Sequence, residues 1–436
     1  MHEQKSLIQT DILSVFAFFL LHTPEGEIFT PHDKLQNIQL LSDIYADHRN
    51  IISIYPELFS TVPLLVTPSK AKELNDFYNI LVRVIHKVVE NYFYDVDINR
   101  TISFNDDKIF RILSYLEKHK PYNIGALRPD FLIEQHGSVK LCEINGRFIS
   151  NGIIISEYLS DYYSKFFDLT SAGSGMLNEY CKAFDLSENI CILKGKESGR
   201  DIFFLQQELK AEMCGGRVTM ATPQQLRFID GSLVVSGEKY TQFILELHQT
   251  ELVELNYQEL KCLFMANTIN DFRTIMIVHD KRMFTLLSNR DFLMKYLSGD
   301  DADKLMEYIP LTFLFKGAGE DIFLKEPKSW VLKKSDSGKG DGMYICDEMS
   351  PQQIKLMCCQ NLDNYIMQQY IHQKKQLMPF SHDGKFMIRP VHHVGALASF
   401  NNTYHGMMIV RGSPHQNVSV AHGATIFMPL IHHPAS

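Results

Sequence analysis

Two short polar signatures limit this chain more than any other stretch: Arg128-Pro129-Asp130, and then Glu143-Ile144-Asn145-Gly146-Arg147 thirteen residues after the Asp. Phe131, Leu132 and Ile133 read as one strand, and Val139, Leu141, Cys142 and Ile144 as a second. The stretch from Glu134 to Ser138 reads as the turn between them, with Gly137 suited to positive φ. A two-residue turn at His136-Gly137 sets Asp130 opposite Glu143. Alternation along the strand then brings Asn145 to the same face. Facing carboxylates repel unless positive charge lies between them. Two carboxylates and an amide carbonyl suit a hard divalent cation such as Mg²⁺, so Asp130, Glu143 and Asn145 are candidate metal ligands. A surface hairpin with scattered polar side chains is the competing reading. The flanking Arg128 and Arg147 favour a site.

The chain has 436 residues, more than one small domain needs, which predicts two or three packed units. Fifty-one acidic against 43 basic side chains leave a net charge of −8, with no general pull toward nucleic acid or an anionic membrane. Eight cysteines without CxxC spacing fit reduced thiols in a cytoplasmic protein. The apolar run at 12–21 follows Glu3 and Asp11 and precedes Thr23-Pro24-Glu25, so it reads as a buried helix rather than a signal peptide. No stretch approaches the ~20 apolar residues of a membrane span.

Apolar spacing predicts helices over 68–94, 106–118 and 153–167. A strand at 190–193, a helix at 202–213 ended by Gly215-Gly216 and a strand at 217–220 form a βαβ unit with a parallel sheet. Strands at 226–228, 233–235 and 243–245 are expected to extend it. No GxGxxG occurs, so a dinucleotide fingerprint is missing.

A second constellation begins at 330. A strand carrying Lys333 runs into Lys334-Ser335-Asp336-Ser337-Gly338-Lys339-Gly340-Asp341-Gly342, and a strand returns from 343. Glycines at alternate positions leave backbone N–H groups open to an anion, and Lys333 and Lys339 can neutralise phosphate. The loop is not a Walker A motif, because Lys339 precedes Gly340 and a strand rather than Ser or Thr and a helix. A plain Gly/Ser turn is the alternative. Ser350-Pro351 then opens a helix, and a strand at 365–371 carries Gln368-Gln369-Tyr370-Ile371. Strand, Gly loop, strand, helix, strand is the order of a lobe that covers a nucleotide. Arg389 and Arg411 lie farther on. An Arg at a strand end can stabilise charge on a transferring phosphoryl group, or can be a plain surface residue.

With these motifs in this order, the chain resembles circularly permuted ATP-grasp ligases, nearest in layout to the synthetase half of glutathionylspermidine synthetase and its relatives. The family pattern Arg-x-Asp, Glu-x-Asn is met by Arg128, Asp130, Glu143 and Asn145. Its Leu-Leu-Ser-Asn-Lys is met by Leu286-Leu287-Ser288-Asn289-Arg290, with Arg for Lys. Its strand Lys is met by Lys333, its phosphate loop by Ser335 to Gly342, its hinge Gln-Glu by Gln368-Gln369, and its late Arg by Arg411. The likeness spans roughly 50–431.

The resemblance implies an α/β fold with an N-terminal helical segment at 1–60, a helical region with the metal hairpin at 61–185 and a Rossmann-like domain at 186–300. A nucleotide lobe with completing strands would follow at 301–436. It also implies ATP and Mg²⁺ as cofactors. Asp130, Glu143 and Asn145 would hold the metal, and Arg128 and Arg411 would act in catalysis. Arg290, Lys333, Ser335, Gly338, Lys339, Gly340, Gln368, Gln369, Tyr370 and Ile371 would bind the nucleotide. The implied reaction joins a carboxylate to an amine (an amino acid, peptide or polyamine) through an acyl phosphate, without nucleic-acid or membrane partners; a homodimer stays open. A phosphotransferase and a non-catalytic nucleotide-binding protein are the alternatives.

Overall fold

The computed structural model describes residues 59–433 apart from 61–62, 136, 149, 339, 374, 383–384 and 421–422. The apolar run at 12–21, nearly all of the 1–60 segment, and His136 and Lys339 therefore lie outside the described residues. The fold is mixed α/β, and five sheets form among the described residues.

The helix Pro68–Glu90 starts as its sequence directs, with Thr67 accepting from the Lys70 N–H and Pro68 in the first turn. Leu74, Phe77, Leu81, Val84, Ile85 and Val88 form its buried stripe. The helix Asp107–His119 adds Ile109, Ile112, Leu113 and Leu116 to the same core. The inner face of the hairpin, formed by the strands Ala126–Ile133 and Val139–Asn145, contributes Leu127, Phe131, Leu141 and Ile144. Burial of that apolar face turns Arg128, Asp130, Glu143 and Asn145 the other way, so the hydrophobic effect aims the polar set.

Asp130 does face Glu143, but by a different route from the expected two-residue turn. Ile133 pairs with Val139, Leu132 with Lys140 and Phe131 with Leu141, a register one residue tighter than predicted. An irregularity between Asp130 and Phe131 then restores the expected pairing of Asp130 with Glu143, Pro129 with Ile144 and Arg128 with Asn145. Cys142 is the extra residue, and its thiol donates to the Asp130 carbonyl at 3.2 Å. A longer turn and a bulge offset each other, and the bulge re-aims the strand beside the polar set.

The hairpin belongs to a six-stranded sheet whose middle strand, Lys385–Phe400, pairs with Ala126–Ile133 on one side and Thr403–Ser413 on the other. Gly395 lies opposite Phe131, and a Cβ there would stand 2.1 Å from that ring, so only glycine lets the ring cross the sheet. Next to it stands a four-stranded antiparallel sheet in the order Thr312–Leu314, Tyr365–Gln369, Trp330–Lys334, Met343–Ile345. Its helix Pro351–Cys358 carries a capping box between Ser350 and Gln353.

The predicted βαβ unit forms a parallel sheet in the order Asn267–Thr268, Gln242–Glu246, Ile190–Lys194, Val218–Ala221. The expected extension by all three later strands is corrected here. Leu226–Ile229 and Ser232–Val235 instead join Glu238–Tyr240 in a separate antiparallel meander. Their turns, Asp230-Gly231 and Ser236-Gly237, all at positive φ, favour hairpins over crossovers. No helix among the described residues is long and apolar enough to cross a membrane.

Candidate active site

The hairpin, the Gly loop and the C-terminal end of the parallel sheet enclose a cavity of about 300 Å³. It brings together Arg128, Asp130, Glu143 and Asn145 with Lys333, Gly338, Gly340, Gln368, Gln369, Tyr370, Ile371 and Arg411. Motifs some two hundred residues apart in sequence therefore share one wall-to-wall site.

Asp130 is buried and held by two guanidinium groups. Arg128 Nε donates to Oδ1 at 3.0 Å, and Arg411 Nη2 donates to Oδ2 at 2.6 Å. Arg411 stands on the strand Thr403–Ser413 opposite Val394, while Ala396 pairs with Asp130, so it reaches diagonally across the sheet. Its buried Nε has no protein partner. Glu143 meets Lys281 at 3.3 Å. Burial would raise this carboxyl, but Lys281, His279, Lys333 and Arg128 together outweigh it and hold Glu143 down to about 2. It is ionised throughout the neutral range. Asn145 donates its amide N–H to the Arg128 carbonyl at 3.3 Å. The charge expected between the facing carboxylates is thus already supplied by Arg128, Arg411 and Lys281. Among the described residues no group of three His, Cys, Asp or Glu side chains could hold a metal ion.

Lys333 donates to the Cys142 carbonyl at 3.0 Å and to Gln368 Oε1 at 2.6 Å, both neutral, and burial pushes its ammonium below the ordinary lysine value. Gln368 Nε2 donates in turn to Thr312 Oγ1. Gln368 thus orients Lys333, while Gln369, Tyr370 and Ile371 continue along the wall. Gly340 has φ of 80°, and a Cβ there would lie 2.4 Å from Asn417, so the loop's approach to Asn417 depends on glycine. Six basic side chains line the cavity against four acidic ones. The excess is positive, and the site is built for an anion.

Two predicted residues are not brought to the cavity. Arg290 opens the short helix Arg290–Leu293 with its side chain half exposed and bonded to Asp303 at 2.6 Å. Phe292 and Leu293 are buried, but the helix start that carries Arg290 is exposed, so its charge is engaged away from the site. Ser335 is buried beside the loop; its N–H donates to Asn364 and its carbonyl accepts from the Lys281 N–H at 3.1 Å. Arg290→Ala is therefore expected to leave nucleotide affinity within about twofold and the denaturant midpoint nearly unchanged, as for an exposed ion pair. Calorimetric titration with ATP and a urea melt check both.

Lys281 is the side chain that sequence reasoning missed. Its signal was a Lys-Arg pair after the wholly apolar 275–278, and only its contacts separate it from its neighbour: Arg282 bonds Asp280 at 2.7 Å, while Lys281 faces Glu143. Arg273 pairs with Asp271 at 2.8 Å and is likewise engaged in the scaffold.

Glu246, fully buried, ends the strand Gln242–Glu246. Ser150 donates to one of its oxygens at 2.8 Å, the other has no protein partner, and burial pushes the carboxyl up to about 7. A raised carboxyl stabilises the fold relative to the unfolded chain below about pH 4.5, and that benefit is lost as pH rises through 7. The loss is about 3 kcal/mol, from the difference between about 7 and the ordinary 4.5. Glu246→Gln is expected to flatten stability between pH 5 and 8 in denaturant titrations. An unchanged slope would refute the assignment.

A family model described as the AnkG N-terminal domain matches residues 77–277, less than half of the chain. No curated protein sequence matches. Among solved structures, the chain is similar to a ligand-free glutathione synthetase-like effector of Globodera pallida. The two share 12% identity over 86% of this chain and 90% of that one, with a TM-score of 0.54. A protein assigned as a γ-glutamylcysteine synthetase of Methylobacillus flagellatus KT shares 11% identity over 84% of this chain and 89% of that one, with a TM-score of 0.43. The first likeness establishes a shared mixed α/β fold; the second is too distant to add to it.

Proposed function

We propose that this chain is an ATP-dependent carboxylate–amine ligase with a circularly permuted ATP-grasp core, its 186–300 region serving as the Rossmann-like substrate domain. One observation carries the reading. A single cavity joins an acidic hairpin, an oriented lysine on a strand and a Gly loop, with more cations than carboxylates. A triphosphate matches that charge, and a neutral ligand would leave it unbalanced.

Lys333, fixed by Gln368, would meet the nucleotide phosphates, and the backbone from Gly338 to Gly342 would cover them. Gln369, Tyr370 and Ile371 would flank the base. Asp130, Glu143 and Asn145 are oxygen donors of the kind Mg²⁺ takes. Because Arg128, Arg411 and Lys281 already balance the carboxylates, the set fits the metal as it arrives with a polyanion rather than as a resident ion. Those three side chains would hold the ion, and its chemistry there would be neutralisation of phosphate charge. The substrate carboxylate would attack the γ-phosphorus, releasing ADP and forming an acyl phosphate. The amine would then attack the acyl carbon, losing a proton and expelling phosphate. Arg411, with its unpartnered Nε, and Arg128 would stabilise the charge that builds at the phosphoryl group.

Purified protein with Mg-ATP and a panel of carboxylates and amines tests this. The expected result is ADP release that requires both partners, with a condensed product in the mass spectrum. ADP release with a hydroxyl acceptor and no amine would point to phosphotransfer instead, and failure to bind ATP would end the proposal.

A further inference from the structure

Two basic side chains in the cavity are bonded to neutral partners: Lys333, at the nucleotide wall, and Arg147. Arg147 is buried, and its guanidinium donates to Gln249 Oε1 and lies 5.1 Å from the Phe148 ring centre. Among the described residues no carboxylate forms a salt bridge with it. Gln249 is itself anchored, donating to the Ile275 carbonyl at 3.0 Å. A guanidinium is charged at neutral pH.

The topology places this cation where ligands of open parallel sheets collect. From Ile190–Lys194 the chain crosses one way to Val218–Ala221, and Gln242–Glu246 lies on the other side. The crevice at the C-terminal ends of Ile190–Lys194 and Gln242–Glu246, where Lys194 pairs with Glu246, is the switch point. The loops leaving those ends bring Glu197 and His248 to the cavity, and the segment after the hairpin brings Arg147 and Asn151. Glu197 accepts from the Gly199 N–H at 3.0 Å and from Asn151 Nδ2 at 3.4 Å, which fixes its carboxylate. Asn151 Oδ1 is buried with no protein partner. A cation with no carboxylate at contact distance thus stands beside a fixed carboxylate and an unused acceptor.

We propose that this end of the cavity binds the α-amino-acid head of a substrate as a zwitterion, its carboxylate on Arg147 and its ammonium toward Glu197 and Asn151 Oδ1. A polyamine would place a second ammonium against Arg147, so this end selects against it. The inference rests on the ligase reading for its place in a reaction, but its test does not need turnover.

Calorimetry on the whole chain, with and without Mg²⁺ and a non-hydrolysable ATP analogue, would use the common amino acids, their carboxamides, their des-amino acids, putrescine and spermidine. At least one amino acid is expected to bind, its carboxamide and des-amino forms more weakly by on the order of 10–10² each, as when a charge-assisted hydrogen bond is lost. Arg147→Gln should erase the acid-over-amide preference alone. Glu197→Gln should erase the preference for the amino group alone. A cooperative urea melt reports folding of both variants. Polyamine binding without amino-acid binding, no binding of any amino acid, or unchanged selectivity in both variants would overturn the inference. Amino-acid binding by a protein that fails to bind nucleotide would keep it and remove only the ligase reading.

Discussion

Glu143→Gln is expected to lower ligase turnover by more than about 10³-fold, beyond the 10²–10³ typical of one lost charge-stabilising group. The substitution keeps the shape and removes the charge. Glu143 stands on the bulged side of the hairpin, ionised down to about pH 2 because burial is outweighed by Lys281, His279, Lys333 and Arg128. Without its carboxylate, Lys281 and Lys333 lose a shared counter-charge, and the proposed oxygen set for Mg²⁺ loses a member. The depressed carboxyl fixes the sign of the pH dependence: its contribution to stability is present above the ordinary carboxyl range and lost only as pH falls toward 2. An acid limb of activity near pH 6 would then belong to another group. Single-turnover measurement of ADP formation, with Mg²⁺ titrated at fixed ATP, reads both effects. Turnover within tenfold of wild type would remove Glu143 from the metal set.

Asp130→Ala should act first on folding. Its carboxylate is 3% exposed and is bonded by both Arg128 and Arg411. Removing one partner of a buried ion pair leaves uncompensated charge and costs about 3–5 kcal/mol, and here two guanidinium groups are left facing each other. The denaturant midpoint should fall by that amount at unchanged slope. Millimolar phosphate or ATP should recover part of it, because an anion can replace the carboxylate between the arginines. A loss below about 1 kcal/mol, or no response to anions, would mean that the triad is not the electrostatic centre of this sheet.

Both effects concern residues legible in the sequence, yet their arrangement was only partly so. Asp130, Glu143 and Asn145 were readable because strand alternation is local and needs only a turn between two apolar runs. The facing of Asp130 and Glu143 survived because a longer turn and a bulge at Cys142 compensated, which no local rule required. Lys333 and the Gly loop were readable from strand–loop–strand spacing. Lys281 was not, because nothing around it separates it from Arg282 until Glu143 and Asp280 are placed. Arg290 misled for the mirror reason: its neighbours fit a motif, but its helix turns it to Asp303. Likewise 226–235 has strand character, and only hydrogen-bond partners assign it to the meander rather than the parallel sheet.

The polar face of each hairpin strand, the helix starts at Thr67 and Ser350, the βαβ unit and the small-residue loop were determined by the sequence alone, since each depends on periodicity, capping or turn chemistry within a few residues. Only the tertiary structure decided which cations face Asp130 and Glu143, and that Arg147 and Glu197 line the same end of the cavity. Charges act through space with no sequence signature of partner, so their pairing is known only once the sheets bring distant segments within a few ångströms.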